Sequence, residues 1–130
     1  PRSSIGCSML RRFFFIALVG LGALASRADA LELVMVERQG CSYCVAWKET
    51  IGPAYPQTEM GKFAPLRMVD IKETLGGDIQ YKGRILFTPT FVLVSDGREI
   101  GRIEGHPGDH FFWGMLEKLL RESAGYNGQG

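Results

Sequence analysis

The alternation of apolar and polar positions divides the first half of the chain into a strand, a helix and a second strand. Residues 31–37 are a brief apolar run rich in β-favouring side chains, which predicts a buried strand. Residues 42–51 suit a helix that a Gly-Pro pair ends, and the proline-rich stretch 52–65 predicts an irregular or only partly helical connection. Residues 66–71 predict a second strand, which a Gly-Gly turn follows.

The second half of the chain predicts a hairpin and a long amphipathic helix. The tripeptide Ser-Asp-Gly at 95–97 favours a tight turn between strands over 91–94 and 99–104. Apolar residues four apart in two adjacent rows over 111–121 predict one broad buried helix face, made by Phe111, Met115, Leu119, Phe112, Leu116 and Leu120. Two strands of one sheet that a helix connects pair in parallel. The order of all the predicted elements therefore indicates a small α/β domain with a mixed central sheet and flanking helices.

The first thirty residues carry the pattern of a secretory signal peptide. Met9 is followed by two arginines, an apolar run over 13–25 and small residues up to Ala30. We therefore expect a start at Met9, cleavage after Ala30 and a domain over 31–130 that is exported to the periplasm. The apolar run is shorter than the roughly 20 residues of a spanning helix, so no permanent membrane anchor is expected. The paired arginines leave twin-arginine export open beside the general route.

Composition narrows the class of protein. A chain of 130 residues with 45% hydrophobic and 22% charged residues is an ordinary globular mixture, and a net charge of +1 is far from the basic excess of a nucleic-acid-binding domain. Three cysteines are too few for a disulfide-dense scaffold, so each has to be interpreted by its position. Cys7 precedes the expected start, which leaves Cys41 and Cys44 in a disulfide-permissive compartment.

Cys41 and Cys44 lie at the transition from the first strand to the first helix. Free backbone N–H groups and the positive end of the helix dipole stabilise a thiolate at such a position, which lowers the pKa of the thiol. We therefore expect Cys41 to attack a partner's disulfide, and the more buried Cys44, one helical turn further on, to release the partner. The spacing thus predicts a thiol–disulfide oxidoreductase.

Two other interpretations of the cysteine pair stay open at this point. A purely structural disulfide would close so small a loop that it would constrain the unfolded chain little. A copper- or zinc-binding module could combine the cysteines with His106 and His110, although 61 residues separate the two pairs and Pro-Gly at 107–108 interrupts any helix that would align the histidines. The simpler interpretation places both histidines, exposed, at the N-terminal turn of the last helix.

The order of motifs resembles that of the thioredoxin superfamily. Gly-Cys-Ser-Tyr-Cys at 40–44 follows a buried strand, and Thr-Pro-Thr at 88–90 comes about 45 residues later, before the hairpin and the closing helix. The match extends over residues 31–122. It implies a thioredoxin-like fold in which Pro89 follows a cis peptide bond beside the cysteines, and in which the backbone of Thr88 pairs with the bound substrate chain.

Over 36–44, 87–94 and 101–105 the chain is also similar to the SoxS-type periplasmic thioredoxins of bacterial sulfur oxidation. This resemblance implies a reductase that keeps the cysteine of a sulfur-carrier protein usable and is re-reduced by a membrane electron-transfer protein. It implies no bound organic cofactor and no metal. A disulfide oxidase or isomerase of secreted proteins would use the same residues at a higher potential, and this alternative stays open.

The chain departs from cytoplasmic thioredoxins around the cysteines. Ser-Tyr replaces Gly-Pro between them and no tryptophan precedes them, which puts general-purpose reduction in doubt. Met35 occupies the place of a buried aspartate, so Glu37 on the same strand face is a candidate for moving a proton to or from Cys44. A solvated strand-end carboxylate is the simpler interpretation of Glu37. Tyr43 and Trp47 either frame a substrate surface or serve packing.

Overall fold

A computed structural model describes residues 30–128, so Cys7 and the predicted signal peptide up to residue 29 lie outside the described residues. The strands are β1 (Leu31–Glu37), β2 (Leu66–Asp70), β3 (Thr90–Ser95) and β4 (Arg98–Glu104), and the helices are α1 (Ser42–Thr50), α2 (Glu59–Phe63) and α3 (Asp109–Ala124). All the predicted strands and both predicted helices are present, with bounds that differ from the expected ones by at most three residues. Within 30–128 no helix has the length and apolar character needed to cross a membrane.

The sheet has the strand order β2-β1-β3-β4. β1 pairs in parallel with β2, as a strand–helix–strand unit requires, and antiparallel with β3. β3 and β4 form the predicted hairpin, whose turn residues Asp96 and Gly97 both have positive φ, at 49° and 76°. The predicted α/β class with a mixed central sheet and flanking helices is confirmed.

The proline-rich connection between α1 and β2 is partly helical, as predicted. A 3-10 turn over Tyr55–Gln57 precedes α2, which Thr58 caps by accepting a hydrogen bond from the backbone N–H of Gly61 at 2.9 Å. Tyr55 is fully buried, and its hydroxyl donates to the carbonyl of Ala64 at 2.7 Å. Burial raises the pKa of Tyr55 above its ordinary value. This buried ring therefore ties the connection to the core beside α1.

Alternation along the strands sends side chains to two apolar cores on opposite faces of the sheet. Leu33 and Met35 of β1 contribute to one core, together with side chains from α1 and α3. Val34 and Val36 contribute to the other core, which residues of the loop between β2 and β3 cover. The sheet thus has a helix-covered face and a loop-covered face, and the cysteine pair lies at the start of α1 beside the helix-covered core.

The prediction of one broad buried face on α3 is wrong for Phe111 and Met115. Phe112, Leu116 and Leu120 are fully buried, whereas Phe111 is 71% exposed and Met115 is 42% exposed. Successive residues of a helix differ by about 100° in direction, so a helix on the outer side of a sheet faces it with only a narrow row. Phe111 and Met115 therefore face away from the sheet, whereas Leu119 of the same row is partly buried against the core.

Candidate active site

The sulfur of Cys41 caps the first turn of α1. Cys41 directly precedes the helix, and its Sγ accepts a hydrogen bond from the backbone N–H of Cys44 at 3.1 Å. The first turn of α1 contains no acidic side chain that would oppose a negative charge on this sulfur. The position thus offers a thiolate one N–H donor and the positive end of the helix dipole.

Cys41 and Cys44 form a disulfide, with Cα atoms 5.2 Å apart. Cys44 is 1% exposed and belongs to the helix-covered core, whereas Cys41 is half-buried. The predicted difference in burial is confirmed. Cys41 is therefore the more accessible of the two cysteines.

The loop before β3 brings Thr88 and Pro89 to the cysteine pair. The Thr88–Pro89 peptide bond is cis, and the Thr88 carbonyl oxygen lies 3.4 Å from Cys41 Sγ. Pro89 is buried, and its carbonyl accepts a hydrogen bond from the backbone N–H of Gly105 at 2.8 Å. The structure therefore places Cys41, Cys44, Thr88 and Pro89 together, although 47 positions separate Cys41 from Thr88 in the chain.

Comparison with solved structures identifies the family. The chain is 42% identical to the periplasmic thioredoxin SoxS from Paracoccus pantotrophus in its reduced form, over 69% of this chain and 95% of that chain, with a TM-score of 0.66. The chain belongs to the thioredoxin superfamily. With its Cys-x-x-Cys pair, this thioredoxin is a thiol–disulfide oxidoreductase, and thioredoxins of this kind act on disulfides of proteins.

More distant thioredoxins share the fold. Deadhead, the germline-specific thioredoxin of Drosophila melanogaster, is 18% identical over 70% of this chain and 82% of its own, with a TM-score of 0.50. Thioredoxin f2 of Chlamydomonas reinhardtii is 14% identical over 78% of this chain and 86% of its own, also with a TM-score of 0.50. A scan of protein-family models and a search of curated protein sequences found no match to this thioredoxin.

A small cleft of about 280 Å³ lies behind the cysteines of this thioredoxin, and Glu37, Lys48, Cys41 and Cys44 are among its lining residues. Glu37 Oε2 accepts a hydrogen bond from Lys48 Nζ at 2.6 Å, and its side chain is 25% exposed. The carboxylate is therefore ion-paired and not freely solvated. Met35 is fully buried, as its place on β1 predicted.

A second groove of about 490 Å³ lies on the outer side of the active site. Its lining residues come from the cysteine loop, the cis-proline loop and the β4–α3 connection: Tyr43, Phe87, Thr88, Glu104, Gly105 and His106. Tyr43 is 65% exposed and Phe87 58% exposed, so both rings are available to a partner. Trp47 is fully buried and packs against Phe91, with ring centroids 5.0 Å apart. Of the two aromatic candidates, Tyr43 lines a surface groove and Trp47 serves packing.

The prediction of two exposed histidines at the start of the last helix is wrong for His106. His110 is exposed in the first turn of α3, whereas His106 precedes the helix and its side chain is 8% exposed. Gly105 and Gly108, with φ of 82° and 107°, let the connection turn His106 inward. Among residues 30–128 no three His, Cys, Asp or Glu side chains are grouped to hold a metal ion.

Phe87, Glu104 and Gly105 of the outer groove are not predicted site residues, and His106 is predicted only as a metal ligand or as an exposed side chain. The groove forms where three segments that are distant in the chain meet, so no periodicity marks it. One local signal was available, because two glycines and a proline within four residues around His106 indicate a tight turn that can bury the side chain between them.

Proposed function

We propose that this thioredoxin is exported to the periplasm and reduces disulfides or mixed disulfides of protein partners, among them the cysteine of a sulfur-carrier protein. The observation that carries the proposal is the contact of Cys41 Sγ, at the N-terminus of α1, with the Thr88 carbonyl beside the cis proline. The similarity to the periplasmic SoxS of Paracoccus pantotrophus supports the compartment. The resemblance of the motifs to the SoxS type supports the class of partner.

The reaction starts from the reduced cysteine pair. The Cys41 thiolate attacks one sulfur of the partner's disulfide, so that a Cys41–partner disulfide forms and the other partner sulfur leaves as a thiolate, which takes up a proton. Cys44 then loses its proton and attacks Cys41 Sγ, which closes the intramolecular disulfide and releases the second partner thiolate. Two electrons pass to the partner, and the dithiol of a membrane electron-transfer protein restores the pair.

The site residues have separate roles in this reaction. Cys41 is the attacking residue because it is the more accessible cysteine and its sulfur accepts the Cys44 N–H. Cys44 resolves the mixed disulfide from inside. The carbonyl of Thr88 accepts a backbone N–H of the partner chain when the partner's sulfur lies over Cys41. Pro89 holds this carbonyl in place because its ring restricts the backbone.

A trapping experiment tests the proposed function. The full chain with Cys44→Ser, produced in its native compartment, forms the mixed disulfide at Cys41 but cannot release the partner. We expect one dominant disulfide-linked partner with an accessible cysteine, identified by mass spectrometry, and none from the matched Cys41→Ser, Cys44→Ser double variant. A broad set of secreted proteins would indicate an oxidase or isomerase instead. The absence of any adduct would contradict the proposal.

The assignment of the two cysteines is tested by alkylation. Because only Cys41 is accessible and stabilised as a thiolate, iodoacetamide near neutral pH should modify Cys41 of the reduced protein at least about tenfold faster than Cys44. Peptide mapping at short reaction times measures the two rates. Equal alkylation rates at Cys41 and Cys44 would exclude a role of the helix N-terminus in activating Cys41.

The proposed export is tested on the N-terminus. Cleavage after Ala30 predicts that protein recovered from the periplasm begins at Leu31. N-terminal sequencing gives this residue directly, and an uncleaved chain that stays with the cytoplasmic fraction would contradict export.

A further inference from the structure

Ala30, which directly precedes β1, is fastened to the turn between β3 and β4. Its backbone N–H donates a hydrogen bond to Asp96 Oδ1 at 3.1 Å, and its carbonyl accepts one from the backbone N–H of Asp96 at 3.3 Å. Asp96 and Gly97 have the two positive φ angles of a two-residue hairpin turn, which fixes the position of these groups. Both backbone hydrogen-bonding groups of Ala30 are therefore occupied, although the residue is exposed.

Leu31, the next residue, already belongs to the sheet. It is the first residue of β1, pairs with Ser95 of β3 and packs, partly buried, against the helix-covered core. The peptide bond between Ala30 and Leu31 thus lies where the chain enters the sheet. Both residues of this bond have partners on the hairpin of β3 and β4.

The same bond is the one that the predicted signal peptide cleavage splits. Small residues at Ala28 and Ala30 indicate hydrolysis between Ala30 and Leu31, in which one water leaves a carboxylate on Ala30 and an α-amino group on Leu31.

A peptidase has to hold the residues around the bond as an extended segment and to polarise the Ala30 carbonyl with its own hydrogen-bond donors. In the folded domain this carbonyl accepts the Asp96 N–H, and Leu31 pairs with β3. Binding to the peptidase and pairing in the sheet therefore exclude each other, so a folded chain is cleaved only while the end of β1 is open.

We propose that the folded domain shields its own cleavage site, so that the signal peptide is removed before the domain folds and the chain crosses the membrane unfolded, by the general export route. A chain on the twin-arginine route folds before it crosses and would offer the peptidase a shielded bond. The proposal rests on the proposed export of this thioredoxin. It adds an order of events, cleavage and then folding, and thereby chooses between the two routes.

Cleavage of folded and unfolded precursor by purified signal peptidase in detergent micelles tests the shielding. The folded form is the full wild-type chain. The unfolded form is the full chain with Phe91→Asp, which places a charge at a fully buried position and leaves the sequence around the cleaved bond unchanged. Circular dichroism verifies the two states. We expect the unfolded precursor to be cleaved at least about tenfold faster, as the release of two backbone hydrogen bonds allows.

Two changes separate the contacts of Ala30 from a general effect of folding. Gly-Ser-Gly-Ser inserted between Ala30 and Leu31 moves the cleaved bond away from β1, so the folded and unfolded forms should then be cleaved at rates within about twofold. Asp96→Gly removes the acceptor of the Ala30 N–H but keeps a residue that tolerates positive φ, and it should speed cleavage of the folded precursor about threefold. The same substitution in the Phe91→Asp chain is the matched control and should have no effect.

The export route is tested in cells with the paired arginines. Arg11→Lys together with Arg12→Lys keeps the positive charge of the signal peptide but removes the pair that the twin-arginine route requires. We expect as much periplasmic protein as from the wild type, with Leu31 as its first residue. The amount is measured by fractionation and the first residue by N-terminal sequencing.

Four results would overturn the inference. These are equal cleavage of folded and unfolded precursor, cleavage of neither, a mature N-terminus upstream of Ala30, and retention of the double-lysine variant in the cytoplasm. In each of these cases the periplasmic wild-type protein and its reaction with protein disulfides are still measured. If the wild type is never found in the periplasm, the proposed export itself fails, and the two failures are therefore distinct.

Discussion

The helix-covered and the loop-covered faces of the sheet are held together by different interactions. Aromatic rings dominate the helix-covered core, where Phe91 and Phe112 meet edge to face with centroids 4.8 Å apart and Trp47 packs against both. The loop-covered core is smaller and aliphatic, and Ile79 and Ile85 of the loop close it, each 7% exposed. The loop-covered core therefore has fewer and smaller buried side chains than the helix-covered core.

A buried ion pair supports the loop-covered face. Glu99 is 4% exposed and accepts hydrogen bonds from Arg102 Nε at 2.6 Å and from the backbone N–H of Lys82 at 2.7 Å. Arg102 also donates to the carbonyl of Arg84 at 3.3 Å. The pair thereby fastens the loop a few residues before Thr88. The active site thus joins a cysteine pair held by packing to a cis-proline loop held by charged hydrogen bonds.

The largest expected effect concerns the helix-covered face. Phe112→Ala removes a fully buried ring at the centre of the aromatic cluster, and such changes lower the free energy of unfolding by about 3–5 kcal/mol. Urea unfolding of the oxidised protein measures the change. Phe111→Ala, on the exposed row of the same helix, is the matched control and should be nearly neutral. Similar losses from both variants would contradict the assignment of a single buried row.

Glu99→Gln should have the next largest effect. The substitution keeps the shape of the side chain but weakens hydrogen bonds to a charged group, so we expect a loss of about 2–3 kcal/mol in the free energy of unfolding. It should also slow the reaction of Cys41 with protein disulfides, because the loop that carries Thr88 loses an anchor. Glu59→Gln, whose side chain is 77% exposed, serves as the control. If Glu99→Gln is destabilised but Cys41 reacts with protein disulfides at an unchanged rate, the ion pair has no role in the active site.

Packing on the loop-covered face should matter less than on the other. Ile85→Ala removes part of a nearly buried side chain, and we expect it to lower the free energy of unfolding by about 2 kcal/mol. This value is at the low end for such a change, because a loop can close over a cavity more easily than a helix can. Leu116→Ala on α3 is the matched substitution and should cost about 4 kcal/mol. Equal losses, measured by urea unfolding, would remove the distinction between the two faces.

The smallest expected effect depends on pH. Burial raises the pKa of Glu99, but the hydrogen bonds from Arg102 and Lys82 outweigh burial and hold the pKa below its ordinary value of 4.5. The stability that this carboxylate contributes is therefore complete above about pH 4.5 and is lost as pH falls through the lower folded pKa. The gap in unfolding free energy between wild type and Glu99→Gln should narrow from pH 6 to pH 3. A constant gap would contradict an ionised Glu99.

Several parts of the site depend only on neighbours in the chain. The strand over 31–37 and the helix that starts after Cys41 follow from local periodicity and from a stop at Gly-Pro, and the structure confirms both. The capping position of Cys41 and the burial of Cys44 follow from their places in the first helical turn. The cis bond before Pro89 was implied by the resemblance and is present.

The tertiary structure decided what periodicity could not. Two rows of α3 are equally apolar, and only the sheet beneath the helix selects the row of Phe112 over that of Phe111. His106 and His110 are the same residue type four positions apart, yet the turn through Gly105 buries the first against Asp109 and leaves the second in solvent. Local sequence patterns reflect interactions within one segment of the chain. The burial of a side chain and the formation of the outer groove depend on contacts between segments that are distant in the chain.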